Sequence, residues 1–194
     1  SIWITSQENL GRMLGYLVLF ENGVCLMILG IPGQIGIELL WMSLFPRLIN
    51  LGLFSLALKI FQDNGVQTDL RNIEGMIHQY PLTCAALILS LLSCAGAPVL
   101  AGFPARQILL ENLAARSITA SLALIAASLG LLLGAFRLFG IFGIMKFTYW
   151  RIKESKRQIF WLVFFILIIL ITGIAPRIIY PDFLDIIQAF PNIG

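Results

Sequence analysis

Ser93-Cys94-Ala95-Gly96-Ala97-Pro98-Val99-Leu100-Ala101-Gly102-Phe103-Pro104-Ala105-Arg106 decides how the rest of the chain is read. The stretch lies inside an apolar segment that opens at Pro81, a favourable first residue of a helix. The segment is apolar to Cys94 and resumes through Arg106 to about Leu113. Gly96, Pro98, Gly102 and Pro104 crowd into its middle, and such a cluster breaks a helix. At membrane depth a break persists only where protein or an internal cavity satisfies the freed backbone groups. Residues 81–113 therefore read as one discontinuous spanning helix. The competing reading is two spans with a tight loop at Gly96–Gly102. Its second span would begin near Phe103 and meet Arg106, Glu111 and Arg116 too soon.

The membrane setting follows from composition. Hydrophobic residues make up 59% of the 194 positions and charged residues 12%. A soluble domain needs about twice that charged share to coat its surface. A spanning helix takes ~20 mostly apolar residues. On that basis the spans fall at about 13–31, 35–58, 81–113 (broken at 96–104), 118–147 and 159–175. The fold class is an all-α polytopic transmembrane bundle of about five spans, and residues 1–194 form a single transmembrane domain. Lys59 to Tyr80 reads as a polar loop with one short surface helix. The apolar spacing of Phe183, Leu184, Ile186, Ile187 and Phe190 suits an interfacial tail over 181–190. Tyr149, Trp150, Trp161 and Tyr180 bracket the fifth span as interfacial aromatics.

Five spans put the start, the 59–80 loop and the 146–157 loop on one side. These carry Arg12, Lys59, Arg71, Lys146, Arg151, Lys153, Lys156 and Arg157, against Arg116 and Arg177 opposite. The positive-inside rule then places the start inside and the tail outside. The basic residues are not interleaved with aromatics, so no nucleic-acid partner is expected. Cys25, Cys84 and Cys94 lie in apolar runs without a CxxC pattern, which reads as small buried hydrophobes and gives no metal site. The chain starts at Ser1 without a signal-peptide pattern, so a processed start or a fragment is expected.

Charges inside spans are costly and usually face the bundle interior, where they serve function. Glu21, Arg47, Arg106 and Arg137 qualify; Glu111 and Lys146 lie nearer segment ends and can snorkel. Each has a structural alternative. Arg137 can snorkel or bond a helix carbonyl, and Glu21 with Arg47 can form a buried structural ion pair. Arg106 follows the break, where carbonyls are freed and water enters, so its functional reading is the strongest. Buried ionisable groups and a broken helix are what an ion or proton path requires. No HExxH, GxSxG or phosphate loop is present, and no catalytic residue is identified. His78, the only histidine, sits in the loop, with a surface role or a part at a proton entry.

The stretch from Ser93 to Arg106 resembles the S-L-A-G-I-P-P-T-A-G-F-I-G-K run of the antiporter-like membrane subunits of respiratory complex I. Asp69-Leu70, Gly75-Met76 and Pro81 are similar to their D-L…G-L-x-x-x-x-P lead-in. Asn50-Leu51-Gly52-Leu53-Phe54 resembles the N-L-G-A-F of the N-subunit branch, and Arg12-Met13-Leu14-Gly15-Tyr16 its R-L-L-A-Y. The match covers residues 9 to 113. Beyond it only the hydropathy agrees.

The resemblance implies a proton-translocating subunit of about fourteen helices, of which this chain supplies roughly the last five. It implies a non-redox subunit of an NADH (or ferredoxin):quinone oxidoreductase, without a bound cofactor. NADH, FMN, iron–sulfur clusters and quinone belong to partner subunits. The expected partners are other membrane subunits, lipid and the transported protons. The setting is an energy-conserving membrane: bacterial plasma membrane, thylakoid or mitochondrial inner membrane.

Three departures qualify it. Arg106 stands where the family has its broken-helix lysine. A buried lysine's pKa shifts readily but arginine stays protonated, so Arg106 steers protons rather than carries them. Val99 replaces the second proline of the family's pair. Glu21 stands where the family is usually uncharged, so either the path runs differently here or this is a divergent copy with weakened pumping; in a proton-moving subunit Glu21 is the expected titrating group. Two other functions remain open. One is a subunit of a cation/proton antiporter or membrane-bound hydrogenase. The other is a structural subunit without transport, which requires fully paired buried charges and a dry break.

Overall fold

A computed structural model describes residues 3, 6–144 and 152–175. Its elements are helices: α1 Leu10–Leu29, α2 Gln34–Asp63, a 3-10 turn Met76–His78, α3 Pro81–Ala95, α4 Phe103–Arg116, α5 Ile118–Phe142 and α6 Lys156–Ile174. Among the described residues α1, α2, α5 and α6 are long and apolar enough to cross a membrane, and α3 is a shorter apolar helix. Lys146, Tyr149, Trp150, Arg151, Arg177, Tyr180 and the 181–190 tail lie outside the described residues, as does the end of the fourth expected span.

The helix starts and stops have local causes. The Asn9 side chain caps α1 by accepting from the backbone N–H groups of Gly11 and Arg12. Gly30, Pro32 and Gly33 then separate α1 from α2. The polar loop expected from Lys59 onward begins later than its charges imply. Helix α2 runs on to Asp63 because Ile60 and Phe61 continue its buried stripe, and it stops only where Gly65 takes a positive φ. In place of a surface helix, the loop holds the single turn Met76–His78.

The interior is built around α3, which packs against α2, α5 and α6. Its Cys84, Ala86, Leu87 and Leu91 join Leu53, Phe54, Ala57 and Phe61 of α2 and Leu131, Ala135 and Leu138 of α5 in one buried cluster. The outer faces of α1, α5 and α6 expose Leu19, Leu26, Leu133, Phe136, Phe160 and Leu167. Apolar surface of this extent suits lipid rather than water. Helix α4 packs on α5 and α2, and it does not lie alongside α3.

Three polar segments converge at one end. Asn9 pairs antiparallel with Asp69, with Leu10 N–H donating to Thr68 O (2.9 Å) and Leu70 N–H to Glu8 O (2.8 Å). Gly75 N–H donates to Ile141 O (3.1 Å), and Lys153 N–H to Gln79 O (3.0 Å). The start, the loop after α2 and the segment before α6 are the three regions that the basic residues assigned to one side.

The break spans Gly96–Gly102, and Pro104 lies inside the first turn of α4. The backbone donors at its two ends are satisfied by protein, as burial requires. Gly96 N–H bonds Ser93 O, Ala97 N–H bonds Leu92 O and Phe103 N–H bonds Leu100 O, each at 3.0 Å. Gly102 N–H bonds the Ser93 hydroxyl at 3.2 Å. Gly96 ends α3 with φ 82°, a conformation suited to glycine. At Gly102 a Cβ would stand 1.9 Å from Ser93 O, so only glycine lets the chain pass this close to the end of α3.

Val99 also has positive φ, at 72°. A β-branched residue is strained there, and proline, locked near φ −65°, is forbidden. The break therefore cannot take this path in a chain with proline at that position. Val99→Gly is expected to raise stability by about 1 kcal/mol, read as a higher unfolding temperature in detergent. A drop would show that the Val99 side chain supports the turn more than its φ strains it.

Candidate functional site

The break delivers Arg106 to the bundle interior. It lies in the first turn of α4, where the helix dipole disfavours a cation. A carboxylate is therefore needed close by, and Glu21 in the middle of α1 supplies it. Arg106 Nη2 donates to Glu21 Oε1 at 2.6 Å, with the two side chains 11% and 8% exposed. The guanidinium stacks 4.6 Å from the centroid of the Phe20 ring, and Gly96 lies against its aliphatic stem. Helix break, cation and carboxylate thus form one unit.

Arg47 of α2 faces the same cavity but does not take Glu21. Its Nη2 donates to Asn22 Oδ1 (2.5 Å) and its Nη1 to Cys25 Sγ (2.9 Å). The ion pair that two mid-span charges implied is formed by Glu21 with Arg106, not with Arg47. Glu21, Arg47, Asn50, Ser93, Cys94 and Arg106 surround a cavity of about 20 Å³. Arg106 Nη1 and Asn50 Oδ1 are buried there without a protein hydrogen-bond partner.

The remaining candidates lie elsewhere. Arg137, near the end of α5, donates to the backbone carbonyl of Gln7 at 2.8 Å, at the end where the polar segments meet. Glu111 is exposed on α4 and accepts from Gln107 at 3.1 Å. The His78 ring Nδ1 lies 3.1 Å from Gly75 O within its turn. Among the described residues no three His, Cys, Asp or Glu side chains gather as a metal site needs.

Sequence reasoning missed one buried acid. Glu154, just before α6, is 8% exposed and accepts at Oε1 from both the backbone N–H and the hydroxyl of Thr83, each at 2.7 Å. It caps α3 from 71 residues away. Burial pushes the Tyr80 phenol above its ordinary 10.0, and the Glu154 carboxylate pushes it the same way. The signal was at the other end of the contact. Helix α3 has Tyr80 at its N-cap, with no side-chain oxygen bonding the first turn, so the turn needs an acceptor from a distant segment.

The family described as NADH:quinone oxidoreductase/Mrp antiporter, TM, matches residues 1–129. NADH-quinone oxidoreductase subunit N of Rhodopseudomonas palustris (strain BisA53) is 31% identical over 128 residues, covering 64% of this chain and 27% of that protein. The subunit N of Geobacillus kaustophilus (strain HTA426) is 35% identical over 107 residues, 55% of this chain and 21% of that one. A putative antiporter subunit mnhA2 of Staphylococcus haemolyticus (strain JCSC1435) is 25% identical over 176 residues, 81% of this chain and 22% of that one. The chain thus spans about a quarter of the length of these curated relatives. The broken helix that brings Arg106 to Glu21 falls inside the matched region, and the chain belongs to the NADH:quinone oxidoreductase/Mrp antiporter transmembrane family.

Proposed function

We propose that this chain is part of a proton-translocating membrane-arm subunit of a complex I-type NADH (or ferredoxin):quinone oxidoreductase, with the redox centres on partner subunits. The observation that carries the reading is the buried Glu21–Arg106 pair behind the break, beside a polar cavity, in a chain of this family. Arginine keeps its proton when buried, so Arg106 supplies a fixed positive charge. Glu21 is the carboxylate on which a proton can rest. Protonation cancels its charge and leaves Arg106 uncompensated, so the occupancy of Glu21 is coupled to any charge that moves nearby. The break and α3 count as one crossing, and the end where the three polar segments meet faces the inside. A wholly structural role would need a dry break with every buried polar atom met within the protein, and Arg106 Nη1 and Asn50 Oδ1 weigh against that.

The test is proton translocation by the reconstituted assembly carrying Arg106→Ala or Glu21→Gln. Each is expected to lower protons moved per electron pair several-fold while electron transfer continues. An unchanged ratio in both would remove these residues from the path.

A second reading, a subunit of a cation/proton antiporter, is favoured by one observation. The antiporter-named relative aligns over 81% of this chain, further than the subunit N relatives do. Sodium-dependent proton exchange without quinone reductase activity would decide for it.

A further inference from the structure

We infer that the cavity between α1, α2 and the break is a binding site for one water molecule, held chiefly by Asn50 and Arg106. The volume is the first constraint: about 20 Å³, against the roughly 10–15 Å³ that one water needs. The polar atoms are the second. Arg106 Nη1 is a buried donor without a protein acceptor, and Asn50 Oδ1 a buried acceptor without a protein donor. Asn50 is 2% exposed, so neither bulk water nor lipid headgroups reach it. The Ser93 hydroxyl, which accepts from Gly102 N–H, also lines the space and retains its own proton to donate. A water needs two to four such partners, and here it would accept from Arg106 and Ser93 and donate to Asn50.

Ions fit the same atoms poorly. A cation would face Arg47 and Arg106. An anion would face Glu21 and the Asn50 carbonyl oxygen, while Arg106 is already paired with Glu21 and Arg47 is held by Asn22 and Cys25. A molecule that both donates and accepts also suits either orientation of the Asn50 amide. Left unmet, a buried amide oxygen and a guanidinium nitrogen each carry the full desolvation penalty of a lost hydrogen bond. The water removes both penalties and lies beside Glu21, linking that carboxylate's surroundings on α1 to α2. Its role as a proton relay rests on the transport reading above; its occupancy does not.

The experiment is a structure of the full assembly at a resolution that shows ordered water, with a parallel sample in bromide and with the Asn50→Leu variant. One compact density within hydrogen-bond distance of Asn50 and Arg106 is expected, without a bromide anomalous signal. It should be lost in Asn50→Leu, where the apolar side chain fills the space. No density in the unmodified protein, or a bromide peak, overturns the site. Should Asn50→Leu fail to assemble, Asn50→Ala replaces it, and the enlarged site is expected to hold more than one water. Pumping separates the two ideas. A several-fold loss in Asn50→Leu with the Glu21–Arg106 pair intact supports the relay. Normal pumping overturns the relay but leaves the water and the transport reading standing. An unmodified assembly that moves no protons overturns transport and relay but not the site.

Discussion

Glu21→Leu is expected to destabilise the chain by about 3–5 kcal/mol, and Arg106→Met added to it is expected to restore most of that loss. The asymmetry follows from what each change leaves behind. Glu21→Leu strands a guanidinium that is 11% exposed, in a helix first turn that already disfavours positive charge. The double variant leaves two apolar side chains in an apolar bundle, with no charge to desolvate. Unfolding free energies in mixed micelles for the two single variants and the double variant give the coupling directly. Additive losses would mean that the pair is relaxed by solvent and that the charges do not sense each other. Strong coupling would show that the ion pair, rather than either charge alone, holds α4 against α1.

The second large effect is expected far from the break. Glu154→Ala removes one acceptor from two donors, the backbone N–H and hydroxyl of Thr83, both bonded at 2.7 Å in a buried setting. Losing such charge-assisted bonds should cost about 3 kcal/mol. Glu154→Gln retains a neutral acceptor and should cost about 1 kcal/mol. Amide hydrogen exchange supplies a local check: protection should fall in the first turn of α3 before it falls elsewhere. No loss in the glutamine variant would mean that the charge contributes nothing, and a glutamine loss equal to alanine's that a neutral acceptor recovers none of it.

These two carboxylates mark the limits of what the sequence revealed. The long helices were legible because a membrane span needs a length of apolar chain that little else explains. The break was legible because glycine and proline act through the backbone, and four of them near one another allow few alternatives. The pairing of Glu21 was not. Both Arg47 and Arg106 lie at depths that a carboxylate in α1 can meet, and the choice depends on how each helix is rotated about its axis. Arg106 gains its position from the break that begins at Gly96, which packs on its stem while its guanidinium reaches Glu21 of α1. Glu154 was hidden differently. It sits among Lys153, Lys156 and Arg157, and an acid in a basic loop reads as solvated charge. Its partner lies 71 positions away, and Tyr80 in the capping position of α3 signals a missing acceptor without saying which segment supplies it.

The last described helix touches the broken one at both limits of its length. Glu154, at the entrance to α6, grips the beginning of α3, and Gly173, near its exit, is so close to Val99 and Leu100 that a Cβ would stand 2.2 Å from the Val99 carbonyl oxygen. Helix α3 is about 22 Å long at 1.5 Å per residue over its 15 residues. The α6 segment thus works as a splint, setting the distance between a fixed collar and a weak joint. The two ends of α3 are tied to the two ends of one neighbouring helix, and the spacing between the start of α3 and the break is set by the length of α6.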